Sequence, residues 1–255
     1  MSNVDGTATG SAIRNCAIVE SYTTAINIPR STTKFLLDNN LIVNASGDGV
    51  MVAGANNTIS NNVVMHSYRP IPQCEKVYDI FWDCRVSAYR IKGGNIMTGN
   101  VAASGDAIGF LTDGDACGNS LWSNNYAHSF RDGVVVADYP AIKHMGNSIW
   151  GEKDYFTQRG DTFCRQVTGV TTYWNADHGF VTWYVLGNVV FRDIVSVDNQ
   201  IGLTSLQLFK DAHGMSGTPA LNGAECNDRD IRKPLVQDRR MPHVCSPLPP
   251  YPCSH

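Results

Sequence analysis

A short phrase recurs along this chain at nearly constant intervals, and a recurrence of that kind restricts the fold more than any single motif. The phrase is an Asn, a few small or β-branched residues, a polar pair, a Gly, and then apolar alternation. It reads Asn40-Leu-Ile-Val-Asn-Ala-Ser-Gly-Asp-Gly49-Val-Met-Val. It returns as Asn100-Val-Ala-Ala-Ser-Gly-Asp-Ala-Ile-Gly109-Phe-Leu and as Asn125-Tyr-Ala-His-Ser-Phe-Arg-Asp-Gly133-Val-Val-Val. Weaker copies surround Ala25, Gly179 and Gly202. With the small residue as marker, the steps 25–49, 49–109, 109–133, 133–179 and 179–202 are 24, 60, 24, 46 and 23 residues. The step of 46 reads as two coils of 23, the middle one near Gly146-Asn-Ser-Ile-Trp150. The step of 60 reads as two coils plus roughly a dozen inserted residues, placed near 68–90, where Pro70, Pro72, Cys74 and Cys84 sit.

A period of about two dozen residues suits a coil of three short strands and three bends. The apolar runs are short and rich in Val and Ile, as in Val134-Val-Val and Ile194-Val-Ser-Val, which favours strands over helices. Parallel strands cannot be joined by hairpins, and winding the whole chain as a solenoid removes that difficulty without helices. Asn at the bends has a physical reason. It tolerates left-handed backbone, and its amide can bond the same residue one coil away, about 4.8 Å along the stack. The pairs Asn39-Asn40, Asn56-Asn57, Asn61-Asn62 and Asn124-Asn125 are therefore expected to be ladder rungs. The fold class expected is all-β: a right-handed parallel β-helix of about seven to eight coils over residues 1–212, followed by an irregular Pro-rich extension over 213–255. The Leu spacing of leucine-rich repeats and the Trp-Asp signature of propellers are both absent.

Composition bounds the function. Charged residues are 17% and the net charge is -3, so no basic excess points to nucleic acid. No run of 18 apolar residues spans a membrane. Eight cysteines without CxxC spacing argue for disulfides in an oxidising compartment and against a zinc site. Cys74 with Cys84 and Cys245 with Cys253 could each close a short loop, buried thiols being the alternative. Asn44-Ala-Ser46 and Asn56-Asn57-Thr58 are glycosylation sequons. The opening MSNVDGTATG has no leader character, so a piece of a longer extracellular or cell-surface protein is expected.

The phrase Gly99-Asn-Val-Ala-Ala-Ser-Gly-Asp-Ala-Ile-Gly-Phe-Leu-Thr-Asp-Gly-Asp-Ala-Cys117 resembles the parallel β-helix repeats of the fibrocystin and fibrocystin-L family. So do Trp122-Ser-Asn-Asn-Tyr-Ala-His-Ser-Phe-Arg-Asp-Gly133 and Asn188-Val-Val-Phe-Arg-Asp-Ile-Val-Ser-Val-Asp-Asn199. The resemblance spans roughly residues 35–205. The same repeats occur in the cell-migration-inducing hyaluronidase family, beside a G8 domain that is not evident here. The resemblance implies a large extracellular or membrane-anchored protein, with roles ranging from surface receptor to hyaluronan binding and depolymerisation. It supplies no catalytic residues, because the matched phrases are the repeat itself.

Chemistry must be sought at the bends. Asp48, Asp106, Asp132 and Asp177 each lie one to three residues before a marker Gly, so a regular stack would line them up as an acidic strip. Such a strip could act on glycans through paired carboxylates, or hold calcium through oxygen ligands. Asp-Gly is also ordinary turn chemistry. His66, His128 and His178 follow an Asn at similar distances, and Asp177-His178 is the best candidate acid/base pair. If the chain is an enzyme, a glycoside hydrolase or polysaccharide lyase, the catalytic candidates are Asp106, Asp132, Asp177 and His178. The ligand-binding candidates are Asp48, Asp113, His128 and Trp174, with Tyr173 among further aromatic residues able to stack on sugars. No metal site and no cofactor are assigned beyond the calcium alternative. Arg90-Ile-Lys92, Asp113-Gly-Asp115 and His178-Gly179 look like pieces of a polygalacturonase signature, but their order along the chain is wrong. The expected function is a non-catalytic module for adhesion or glycan binding. Its expected partner is a polysaccharide or extracellular glycoprotein, not nucleic acid.

Overall fold

A computed structural model gives the fold, and the structure describes residues 10–68, 86–137, 164–185, 188–207, 209–211 and 214–216. These residues form a right-handed parallel β-helix. The first coil consists of strands Ala12–Arg14, Ala17–Ser21 and Ile26–Ile28, and the second of Leu36–Asp38, Leu41–Ser46 and Val50–Val52. The same order repeats to the seventh, which consists of Asn188–Arg192, Val195–Val197 and Ile201–Gln207. Like strands stack into like sheets: the second and third strands of the coils form two seven-stranded parallel sheets. The first strands form a five-stranded sheet, and Cys164–Thr168 and Asn188–Arg192 take that position in coils six and seven, where Thr168 Oγ1 donates to the Trp122 carbonyl.

The register explains the repeat. Ile108 pairs with Asp132 and Phe110 with Val134, so Gly109 and Gly133 lie on adjacent rungs. A Cβ on Gly109 would come within 2.6 Å of the Gly133 carbonyl oxygen, and one on Gly133 equally close to that of Gly179. The marker is small because coils touch there. The long step from Gly49 to Gly109 is two coils, with Ala88 as the intermediate marker, since Val50 pairs with Tyr89 and Tyr89 with Phe110. The expected middle coil near Gly146 is a correction. Asp132 pairs directly with His178, so Gly133 and Gly179 are neighbours, and the step of 46 is a single coil step. Residues 138–163, including the supposed middle coil, lie outside the described residues, as do Cys74, Cys84, Cys245 and Cys253.

The disulfide that is described joins Cys117 to Cys164, a pairing the spacing did not suggest, with Cα atoms 5.4 Å apart. It closes a clip between coils four and six. Asp115–Ala116 runs antiparallel to the strand beginning at Cys164, and Gln166 Oε1 accepts the Gly118 N–H. Cys16 is a free, exposed thiol.

The asparagine pairs divide their labour. The first member of each takes the left-handed bend: Asn39, Asn56, Asn61 and Asn124 have φ of 53°, 61°, 55° and 53°. The second points inward. Asn40, Asn62, Asn100 and Asn125 form one buried ladder: Oδ1 of Asn62, Asn100 and Asn125 accepts both the side-chain and the backbone N–H of the rung before it, and Asn40 Oδ1 accepts the Cys16 N–H. Asn57–Asn95 and Asn175–Asn199 are shorter ladders of the same kind. The ladder ends at coil six, where Val170 pairs with Asn125 in register. Inside, Leu37, Ile59, Met97, Tyr89, Phe110 and Phe180 fill the core, with Tyr89 stacked on Phe110 at 4.9 Å. Leu111, Val135 and Val181 form a second buried cluster on the other face of the third sheet.

Candidate functional site

The bend between the second and third sheets carries most of the candidate chemistry. Its left-handed position is filled coil by coil by Glu20, Asn44, His66, Ser104, Ser129, Trp174 and Asp198, all with φ between 52° and 61°. Most of these are polar or compact. Trp174 is the exception, and its side chain is not tucked away: the residue is 65% exposed. Left-handed backbone costs a side chain with a Cβ roughly 1–2 kcal/mol, a cost that each coil carries at this bend. Trp174 packs edge-on against Tyr173 at 5.5 Å, and Tyr173 stacks on His128, one coil below, at 4.6 Å and 13°. Tyr173 and His128 are direct cross-strand partners. The His128 ring reaches Ser129 Oγ through Nδ1, and partial burial holds its pKa below the ordinary value.

This aromatic group is the end of a larger surface. The outward positions of the second sheet form two ladders that are apolar almost throughout. One runs Leu41, Val63, Val101, Tyr126, then Thr171 and Val195. The other runs from Val19 through Val43, Met65 and Ala103 to His128 and Tyr173. Val19, Leu41, Tyr126 and Val195 are all at least 40% exposed.

Three residues beyond the aromatic group, register brings Asp132 and His178 together. His178 Nδ1 lies 2.8 Å from Asp132 Oδ1 and 3.5 Å from Asp177 Oδ1, while Arg131 Nε lies 3.5 Å from Asp177 Oδ2. Asp132 is buried, and His178 and Asp177 are partly open. The donor atoms of Asp132, Asp177 and His178 lie within 4.8 Å of one another, the one group among the described residues able to hold a metal ion. A set containing an imidazole suits zinc-like cations better than calcium, which prefers oxygen ligands. Asp132 orients His178 and faces solvent little. A buried carboxylate of this kind can position an imidazole but cannot itself reach a long polymer.

The acidic strip expected along one edge does not form. Asp48 and Asp132 do share a column, but Ser87 and Ile108 separate them, because the bends differ in length. Asp48 is anchored by the Ser87 N–H and Oγ, both 2.7 Å from Oδ1, and by Arg90 Nε at 2.8 Å from Oδ2. Asp106 is exposed at the bend of coil four, two residues out of that column, with its N–H on the Ser67 carbonyl. Asp113 accepts the Gly93 N–H and presents its carbonyl to Arg165, on the opposite side of the third sheet. The three histidines do not stack either: His66 occupies the left-handed bend, His128 the strand position before it, and His178 the next sheet. Arg131 was not foreseen. Its partner is 46 residues away, and only the register reveals it.

Comparison with known proteins places this geometry among relatives. A family model described as right handed beta helix region matches residues 3–158. Over 170 residues the chain is 27% identical to fibrocystin of Canis lupus familiaris, covering 66% of this chain. It is 26% identical to fibrocystin of Mus musculus over 81% of this chain, and 24% identical to mouse fibrocystin-L over 77%. In each case the match spans 4% of the relative's length. No solved structure gives a significant match. No helix among the described residues is long and apolar enough to cross a membrane.

Proposed function

Because this chain belongs to the right-handed β-helix family, we propose that it serves as a non-catalytic glycan-binding module of a much larger protein, displayed outside the cell. The observation that carries this reading is Trp174: an indole held in a strained left-handed bend and 65% exposed, at the end of an aromatic shelf formed with Tyr173 and His128. Every coil turns left-handed at this bend, but an indole left exposed there favours a ligand contact over core packing. The apolar C–H face of a sugar packs on such rings, and the adjoining apolar ladders extend the contact surface from coil to coil. The buried Asp132 carboxylate, committed to His178, favours binding over hydrolysis.

Calorimetric titration with hyaluronan and pectin oligosaccharides tests the reading. Saturable binding to at least one of them is expected, weakened tenfold or more by Trp174→Ala with the thermal transition retained. Product sizing decides against the competing reading of a polysaccharide-cleaving enzyme. Chain shortening that is abolished by Asp132→Asn would overturn the binding-only role.

A further inference from the structure

We infer that Asn44 and Asn56 are N-glycosylated, and that the glycans sit on the outer bends of coils two and three. The inference rests on the extracellular reading above. Both sequons in the chain place their Asn at a left-handed bend facing outward: Asn44 at φ 59°, half-buried, and Asn56 at φ 61°, exposed. The eight buried asparagines of the ladders, among them Asn40, Asn62, Asn100 and Asn125, could not carry a sugar without breaking the stack. None of the eight is followed two residues later by Ser or Thr. In the dipeptide Asn56-Asn57 the division is sharpest, because the sequon begins at the outward residue and the inward one, 1% exposed, continues into Thr58-Ile59. Asn56 is flanked along its column by Lys34 and by Gly94, which has no side chain to crowd a glycan, through the bonds Lys34 N–H to Asn56 O and Asn56 N–H to Gly94 O.

The folded state also sets the timing. Ser46, the hydroxyl residue of the first sequon, is 8% exposed once the stack has closed. Transfer therefore precedes closure, on the extended chain during translocation. The side-chain amide nitrogen attacks the anomeric carbon of a lipid-pyrophosphate-linked oligosaccharide. The N–C bond forms, the C–O bond to pyrophosphate breaks, one amide proton leaves, and the lipid pyrophosphate departs. The finished glycan on Asn44 lies beside Val43 at the edge of the apolar outer face. It would screen Val19 and Leu41 of the early coils, 59% and 40% exposed, and leave the Trp174 end of the same face bare.

The test is translation of the whole chain, behind a cleavable secretion signal, in the presence of microsomes. Two stepwise mobility shifts, both removed by an N-glycosidase, are expected. Asn44→Gln and Asn56→Gln should each remove one, and Asn40→Gln neither. Peptide mass spectrometry after deglycosylation in heavy-oxygen water should assign the label to Asn44 and Asn56. A translocated, trypsin-resistant chain with no glycosidase-sensitive shift would overturn the inference. So would a glycosylated chain that is trypsin-sensitive while the double Gln variant is resistant. Surface biotinylation of the native gene product tests extracellular display separately, so either reading can fail without the other.

Discussion

Adjacent residues in the dipeptide Asn61-Asn62 should respond to mutation in opposite ways, and the difference measures what holds the coils together. Asn62 is fully buried. Its Nδ2 donates to the Leu37 carbonyl and to Asn100 Oδ1, both at 3.0 Å, and its Oδ1 accepts from Asn40 N at 3.0 Å and Asn40 Nδ2 at 2.8 Å. Asn62→Ala deletes all four bonds and strands the buried Asn40 backbone N–H away from water. At about 1 kcal/mol per lost bond the loss is about 4 kcal/mol before the further cost of the orphaned N–H, large for a single substitution. Asn61 instead lies at the surface with φ 55° and one side-chain bond, to Asp38 Oδ1 at 3.1 Å. Asn61→Ala should cost about 1 kcal/mol for placing Ala in left-handed backbone. Asn61→Gly should cost less, since Gly accepts that conformation. Urea unfolding reads the difference as a shift in midpoint at unchanged slope. Equal losses at the two positions, or a loss at Asn62 below about 1 kcal/mol, would refute the ladder as the source of inter-coil cohesion.

Other perturbations separate the remaining parts. Reducing or deleting the Cys117–Cys164 bridge, which spans 47 residues, should lower stability by about 4 kcal/mol on the chain-entropy model, read by thermal unfolding with and without reductant. Burial raises the Asp115 pKa to about 6, against the Gly94 N–H bond that lowers it, with Asp113 adding to the rise. An acid whose folded pKa exceeds its unfolded one favours folding when protonated. Its contribution is therefore full below about pH 4 and is lost as pH rises through 6. Asp115→Asn should accordingly gain on the wild type between pH 4 and pH 7, by at most about 3 kcal/mol, and a flat difference across that range would contradict it. His178→Ala leaves the Asp132 carboxylate buried without its partner and should cost about 3 kcal/mol or more, with much of the loss recovered in the double variant carrying Asp132→Asn. Trp174→Asn should remove glycan binding and leave stability equal or higher, by up to about 1 kcal/mol, as calorimetry and thermal unfolding would show.

The architecture was largely legible because it repeats. Steps of 24, 24 and 23 residues are true coil lengths, and the Asn pairs identified ladder positions because amide stacking leaves the same residue on successive rungs. The step of 46 misled because a sequence period cannot distinguish two short coil steps from one long one, whereas strand pairing can. Ala88 escaped notice as a marker because its role requires only a small residue. The site was less legible. Asp177-His178 was visible as a dipeptide, but the partner that fixes His178 is Asp132, 46 residues earlier, and that contact depends on the exact register of two bends. The acidic strip failed for the same reason: Asp106 and Asp177 lie two residues and one residue out of the column that Asp48 and Asp132 share. Trp174 could be named as one of several aromatics able to stack on sugars, but its left-handed backbone and exposure follow only from its place in the stack.

In-register stacking is tested most directly by the distance along one outward column. Leu41 and Val195 occupy the same ladder on the second sheet, joined through Val63, Val101, Tyr126 and Thr171. Nitroxides introduced on unnatural side chains at these two positions report that span by pulsed electron–electron resonance. Five rungs predict a narrow distribution near a backbone separation of about 24 Å. A centre shifted to about 29 Å would insert a coil between residues 133 and 179, and a broad distribution would mean that the coils do not stack in a single register.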